Sequence, residues 1–266
     1  MIHQDAMTML KKTSRTFFIP ISRLEGQLQE AVASGYLCMR AIDEIEDHTD
    51  LDDELKIKLL QDVRDSFRSD EPLARARDVL APYKHDLPEV SWQLHEWAGL
   101  CPSDIAPTVY RYTAKMSDEM AYWVDKKWII DTEEDLDRYT YSVAGMVGEM
   151  LSELWLWNDG TQSDRGRAVA FGRGLQAVNI LRNKAEDGTR GVSFFPKGWG
   201  MDEMLAYTRR NLKEADAYLA ELKEGQAKAF CKIPLALAHA TVKLISGGGN
   251  KLTRDAVLKI VNKLSG

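Results

Sequence analysis

The chain has 266 residues, 44% of them hydrophobic and 29% charged, which is the balance of an ordinary globular protein. A net charge of −6 argues against a nucleic-acid partner, and an acidic protein that takes up a polyphosphate needs metal ions or a local cluster of arginines. Cys38, Cys101 and Cys231 are odd in number and far apart, without metal-ligand spacing, so neither a zinc site nor a disulfide framework is expected and a reducing cytoplasm fits best. The N-terminal MIHQDAMTMLKK lacks the apolar core of a signal peptide, and no uncharged apolar run approaches the ~20 residues of a membrane span.

Glycine and proline fall mostly at segment ends and leave long amphipathic stretches between them. Apolar periodicity predicts helices over residues 25–47, 51–67, 107–125, 132–157, 164–187, 202–223, 227–245 and 253–264. Thr132, followed by Glu133, Glu134 and Asp135, reads as a capped acidic first turn, and Ser163 as the cap of the next helix. NDGTQS at 158–163, GTRG at 188–191 and SGGGN at 246–250 read as turns. Val, Ile and Thr nowhere alternate cleanly, so strands find little support. One all-α domain over residues 1–266 is expected.

On the predicted helix 25–47, Tyr36, Arg40, Asp43 and Asp47 form one stripe with Glu46 beside it, while Ala31, Val32, Leu37, Ala41 and Ile42 suit the core. Asp43, Glu46 and Asp47 stand at i, i+3 and i+4, a spacing at which carboxylates hold a hard divalent cation while a substrate's phosphates supply further oxygens. A solvated acidic face is the plainer explanation. Like charges at this spacing repel by about a few tenths of a kcal/mol, which a bound cation would reverse.

On the predicted helix 164–187, Gly172, Gln176, Asn179, Asn183 and Asp187 share a face that is polar but uncharged until its C-terminal end. Asparagine is a poor helix former, and buried amides need partners. Diphosphate oxygens and coordinated water would supply them, and so would an amide network between helices. Arg182 and Arg190 bracket this second cluster and suit phosphate. Two such faces, opposed across a bundle, would clamp a diphosphate through metal ions.

Between these helices, Val143-Ala144-Gly145-Met146-Val147-Gly148 places small residues where each glycine costs about 1 kcal/mol of helix propensity. They either admit a neighbouring helix or leave room for an apolar ligand, in a cavity lined also by Phe17 or Phe18. Phe17, Phe18, Trp155, Trp157, Phe194, Phe195 and Trp199 suit the core, with some available to line a channel.

Four ordered segments together resemble the squalene/phytoene synthase family of head-to-head prenyltransferases. Ser14-Arg15-Thr16-Phe17 looks like its opening segment, and GYLCMRAIDEIED (35–47) is similar to its first aspartate-rich helix. YTYSVAGMVGEML (139–151) resembles its small-residue helix, and LQAVNILRNKAEDGTRGVSFFP (175–196) its second aspartate-rich helix and following loop. The resemblance implies a single-domain isoprenoid synthase helical bundle with a central apolar cavity, and about three magnesium ions holding a prenyl diphosphate. By match, Asp43, Asp47, Asn183 and Asp187 stand at metal-ligand positions, with Glu46 in support. Ser14, Arg15, Tyr36 and Arg40 would contact the diphosphate or steady the leaving group, and Gln176, Asn179, Arg182 and Arg190 would complete the second wall.

Three departures stand out. Asn183 occupies the place of an aspartate, and a neutral amide is the weaker ligand for a hard cation. Val192 replaces an arginine usual two residues after Arg190, a loss that Lys184 would partly offset. Ser142 replaces a tyrosine that squalene synthases use in the later rearrangement, although dehydrosqualene and phytoene synthases have small residues there.

Three readings remain open at this level. The first condenses two farnesyl diphosphates head to head into a squalene- or dehydrosqualene-type C30 product. The second ionises one prenyl diphosphate and cyclises or hydrolyses it, as a terpene synthase or phosphatase, and the third is a non-catalytic subunit with the same fold. Chain length, NADPH use and oligomeric state are open. A peripheral membrane contact would suit release of an apolar product.

Overall fold

The computed structural model describes residues 4–189 and 191–264, with Arg15 described in its backbone only, and every regular element among them is helical. The helices are α1 (Gln4–Thr13), α2 (Arg15–Ile21), α3 (Gly26–Glu46), α4 (Asp53–Phe67), α5 (Pro72–Leu80), α6 (Glu89–Trp92), α7 (Leu94–Gly99), α8 (Ala106–Asp125), α9 (Glu133–Thr140), α10 (Met146–Asp159), α11 (Arg165–Thr189), α12 (Met201–Glu221), α13 (Gln226–Ser246) and α14 (Arg254–Lys263). They fall into two compact units. Unit 1 takes the described residues of 1–127 and 156–160, and unit 2 those of 128–155 and 161–266.

Unit 1 is organised around α3, which packs on α6, α7 and α8, while α4 lies along α8. Leu28, Ala31, Val32, Leu37, Cys38, Ala41 and Ile42 of α3 are buried, so the apolar faces predicted for this helix make its core contacts. Two side-chain caps set local boundaries. Ser14 accepts from Phe17 N at 3.0 Å to start α2, and Asp52 accepts from Leu55 N at 2.8 Å to start α4. The short helices α1, α2 and α5–α7 lie in stretches for which the periodicity made no prediction. Helices α2, α6 and α7 are too brief for a 3.6-residue pattern to build up, and Pro20 and Pro72 interrupt or open α2 and α5.

In unit 2, α11 packs on α12 and α13 and on a π-helical turn, Tyr141–Gly145, that joins α9 to α10. The single helix expected over 132–157 is thus wound differently at its centre. Its start is as expected: Thr132 Oγ1 accepts from Asp135 N at 3.1 Å, and the Asp135 carboxylate returns a bond to Thr132 N. At the next helix the cap is Asp164 rather than Ser163, because its carboxylate accepts from Arg167 N at 2.8 Å and offers a stronger acceptor than a hydroxyl. The turn expected from Gly188 begins later, since α11 continues through Thr189. Helix α13 is long and apolar enough by composition to cross a membrane, but it carries Lys228, Lys232 and Lys243, and Phe230, Ile233 and Leu237 are buried. Phe230 meets the ring of Trp155 at 5.5 Å within this unit.

The glycines of the small-residue segment resolve between the two roles the sequence allowed. A Cβ on Gly148 would lie 2.0 Å from the carbonyl oxygen of Ala168, and one on Gly172 would lie 2.1 Å from that of Ala144. A Cβ on Gly145 would meet side chains instead, Tyr141 at 3.0 Å and Val169 at 3.2 Å. Gly148 and Gly172 bring two helical backbones together, and none of the three lines open space. Trp155 and Phe195 are buried as expected, whereas Phe17, Phe18, Trp157, Phe194 and Trp199 are half-buried.

Gly148→Ala and Gly172→Ala are each expected to lower stability by about 1–3 kcal/mol, since the obstacle is a backbone carbonyl that cannot rotate away. Gly188→Ala, where an added Cβ meets nothing within 4 Å, is expected to be neutral or to stabilise by up to about 1 kcal/mol. Denaturant midpoints of the three variants test the contrast.

Candidate active site

The first acidic cluster sits at the C-terminal end of α3. Asp43 and Glu46 lie in its last turn and Asp47 is its C-cap residue. A helix C-terminus carries partial negative charge and favours cations, yet this last turn holds no basic residue. Oxygens of Asp43, Glu46 and Asp47 come within 4.8 Å of one another, the only such group of three among the described residues. Carboxylates gathered against the helix dipole repel each other, and a divalent cation would turn that repulsion into attraction. The donor set therefore fits a hard, oxygen-seeking metal.

The electrostatics of Asp43 record the crowding. Burial, and after it the charges of Asp47 and Glu44, push its carboxyl up to about 6 against the opposing pull of Arg40. Arg40 Nη1 donates to Asp43 Oδ2 at 2.7 Å, and its other amino group forms an ion pair with Glu44. One turn earlier, Tyr36 lies with its ring 5.8 Å from that of Phe17 and its hydroxyl within hydrogen-bonding reach of Ser14 and Thr13. Burial raises its ionisation above the usual phenol range. Ser14 thus serves twice, capping α2 and approaching Tyr36. Unit 1 brings together Ser14, Tyr36, Arg40, Asp43, Glu46 and Asp47.

The second cluster, on α11 in unit 2, is built differently. Gln176, Asn179, Arg182, Asn183 and Asp187 are half-buried. Asn179 Nδ2 donates to Gln176 Oε1 at 3.3 Å, and Arg182 Nε donates to Asn183 Oδ1 at 3.1 Å. The amides are therefore partly satisfied along their own helix. Glu186 turns away to an exposed ion pair with Lys251, with 2.6 Å between the charged atoms. Lys184 stands over the ring of Phe195 at 4.5 Å, which occupies the side chain that was expected to replace an arginine. Arg190 lies outside the described residues, as does the side chain of Arg15.

Tyr141 was not singled out by sequence reasoning, yet its hydroxyl donates to Glu149 Oε2 at 2.7 Å. Residues eight apart diverge by roughly 80° on a regular helix, but the extra residue of a π turn brings them nearly into line. Ser142, in the same turn, is fully buried and donates to the carbonyl of Arg138 at 2.8 Å. Nearby, the buried Tyr207 hydroxyl donates to Asp137 at 2.8 Å and lies 3.0 Å from Thr140 Oγ1.

Because folding raises the Asp43 carboxyl above its ordinary value, this group favours the folded, metal-free protein more as pH falls from above 6 toward 4. A divalent cation at this cluster would need the carboxylate, so any affinity for magnesium is expected to drop over the same interval. Asp43→Asn is expected to flatten that rise in stability while weakening magnesium binding. Thermal midpoints and calorimetric titration with magnesium, at pH 7.5 and pH 5 (roughly either side of the Asp43 transition), check both effects.

The chain matches the squalene/phytoene synthase family over residues 10–199. The squalene synthase of Eremothecium gossypii is 30% identical across 94% of this chain and 64% of its own length. That of Bos taurus is 28% identical across 88% of this chain and 61% of its own. The chain thus spans less than two thirds of the length of these curated relatives. A ligand complex of TcSQS superposes with a TM-score of 0.80 at 22% identity, covering 98% of this chain and 85% of the other. A dehydrosqualene synthase in complex with ligand gives 0.61 at 19% identity, covering 98% and 94%. The structural likeness speaks to a shared helical fold. The sequence match takes in Ser14, the acidic end of α3, the glycine-bearing segment and the polar face of α11, and the chain belongs to the squalene/phytoene synthase family.

Proposed function

We propose that this protein is a magnesium-dependent prenyltransferase that condenses two farnesyl diphosphates head to head into a C30 product and releases pyrophosphate. The observation that carries this reading is the group Asp43, Glu46 and Asp47, gathered at the helix end least hospitable to anions, within a chain of this family. Asp43 and Asp47 would hold the metal with Glu46 in support, and Asn183 and Asp187 are the further residues proposed to hold it. Magnesium held there would supply positive charge to the diphosphate leaving group.

The residues of this chain then have distinct tasks. Arg40 tempers the repulsion at Asp43 and, with Arg15, Arg182 and Arg190, meets diphosphate oxygens. Tyr36 and Ser14 orient the leaving group, and Gln176 and Asn179 offer amides to it. As the allylic C–O bond breaks, its electron pair leaves with pyrophosphate and an allyl cation remains. The double bond of the second substrate attacks that cation, and loss of a proton closes a cyclopropyl intermediate. A second loss of pyrophosphate opens the ring. These cations would need an apolar, water-excluding environment to escape quenching.

Squalene requires a hydride, from NADPH, at the last step, whereas dehydrosqualene requires only loss of a proton. Ser142, whose buried hydroxyl is committed to Arg138 O, supports the dehydrosqualene-type outcome. A single-substrate reaction, as in a terpene synthase or a prenyl diphosphate phosphatase, is the second reading. It is favoured by Asn183, whose amide oxygen is engaged by Arg182. Retention of three clustered carboxylates speaks against a non-catalytic subunit. A cytoplasmic location with peripheral membrane contact suits the apolar product.

Incubation with farnesyl or geranylgeranyl diphosphate and magnesium, with and without NADPH, followed by product identification, tests the reaction. A C30 hydrocarbon is expected, and a C15 alcohol or cyclic terpene as sole product would favour the second reading. Asp43→Asn and Asp47→Asn are each expected to cut turnover more than about 100-fold, beyond the loss typical of a residue that only supports a ligand. Full activity in either would remove the assignment. Asn183→Asp is expected to keep or raise turnover and to lower the magnesium concentration needed. An unchanged rate and magnesium requirement would place Asn183 outside the metal's reach.

A further inference from the structure

Unit 2 holds a basic groove in which the proposed reaction has no part. It lies between α12 and α13, has a volume of about 400 Å³, and takes none of its lining from α11. Arg209, Lys213 and Asp216 stand at i, i+4 and i+7 on α12, and His239, Lys243 and Ser246 at the same spacing on α13. Each set forms one helical stripe, so the two stripes are the walls of the groove. Leu212 and Val242, both buried, complete the lining.

The positive charge of this groove is uncompensated. Arg209, Lys213 and Lys243 have no ion-pair partner among the described residues. The nearest acids in the sequence are engaged otherwise: Asp216 lies 2.8 Å from His239 Nε2, and Glu214 pairs with Arg167 at 3.6 Å. Arg209 is held from wall to wall, because it donates to Ser246 Oγ at 2.8 Å. In a chain with 41 acids and a net charge of −6, three such cations around one concavity repel each other until an anion arrives.

We propose that the α12–α13 groove binds a diphosphate group without a metal ion. A diphosphate spreads its charge over two linked phosphates, which suits cations on both walls better than a single carboxylate does. Arginine and lysine offer its oxygens charge-assisted hydrogen bonds. A divalent cation would find only Asp216 here, already paired, so side chains alone meet the anion's charge. The α3 cluster is the opposite case, a set of carboxylates suited to a hard metal. Inorganic pyrophosphate and a prenyl diphosphate share the group recognised, and the proposal stands independently of the catalytic reading.

The test is calorimetric titration of the full chain with inorganic pyrophosphate in EDTA, which removes any binding through magnesium. Saturable binding is expected, weakening as salt rises from about 0.05 to 0.5 M. At saturation the thermal midpoint is expected to rise by about 2–4 °C. Lys213→Glu combined with Lys243→Glu is expected to weaken binding at least about 10-fold. Lys259→Glu combined with Lys263→Glu makes the same change of charge at exposed positions of α14 and is expected to alter it less than about twofold. Thermal midpoints without ligand confirm that the variants fold. No binding in EDTA, or equal loss in both double variants, would overturn the proposal. So would binding that survives in the Lys213 and Lys243 variant but is lost in Arg182→Gln, since α11 would then hold the anion. Geranyl diphosphate as a second titrant identifies the source: tighter binding than pyrophosphate assigns the groove to a prenyl ester, and equal or weaker binding to the free anion. Either ranking supports the site. Asp43→Asn is expected to keep this metal-free binding whether or not the parent protein turns over substrate, so failure of one reading is distinguishable from failure of the other.

Discussion

The repulsion among carboxylates at the C-terminal end of α3 is the constraint on which the rest of the functional architecture depends. Asp43, Glu46 and Asp47 are held together by a helix whose other faces are committed to the core through Leu37, Ala41 and Ile42, so they cannot drift apart without unpacking it. Arg40 offsets part of the cost from one turn away, and Ser14, Thr13 and Phe17 settle Tyr36 beside it. Such an arrangement costs stability in the empty protein and becomes favourable only when positive charge arrives. That is the usual signature of a site whose ligand is part of its structure.

Unit 2 answers a different demand, which is to bring helical backbones close together. Gly148 and Gly172 each meet a carbonyl oxygen of the partner helix at a distance that would exclude a methyl group. The π turn at Tyr141–Gly145 lies against α11 in the same region and realigns Tyr141 with Glu149. The polar face of α11 therefore rests on a tightly packed floor. Its Gln176–Asn179 and Arg182–Asn183 pairs hold side chains in place along the helix without exhausting their hydrogen-bonding capacity.

The two acidic motifs are not equivalent. The first is a group of three carboxylates, whereas at the second Asn183 is neutral and Glu186 is drawn to Lys251. The local field on α11 is correspondingly weaker. A chain of this family with such an imbalance would rely on α3 for most of its metal affinity, and on amides and arginines to orient the diphosphate. This is the physical basis on which the one-substrate and two-substrate readings diverge.

Helical class, the long helices and the α3 stripe were determined by the sequence alone, because 3.6-residue periodicity and i, i+3, i+4 spacing are local properties that survive without tertiary context. Short helices such as α2 and α7 were not legible, since one or two turns carry too little periodicity. The cap at Asp164 rather than Ser163 turned on a competition between neighbouring acceptors. Only the folded structure decided what the glycines were for: a small residue reads the same whether it admits a ligand or a backbone, and the answer lies in the carbonyls of Ala144 and Ala168, some 20 or more residues away in the chain. It likewise decided that Lys184 is taken by Phe195 and that Ser142 is tied to Arg138, because a side chain's partners are set by packing and not by its position in the sequence.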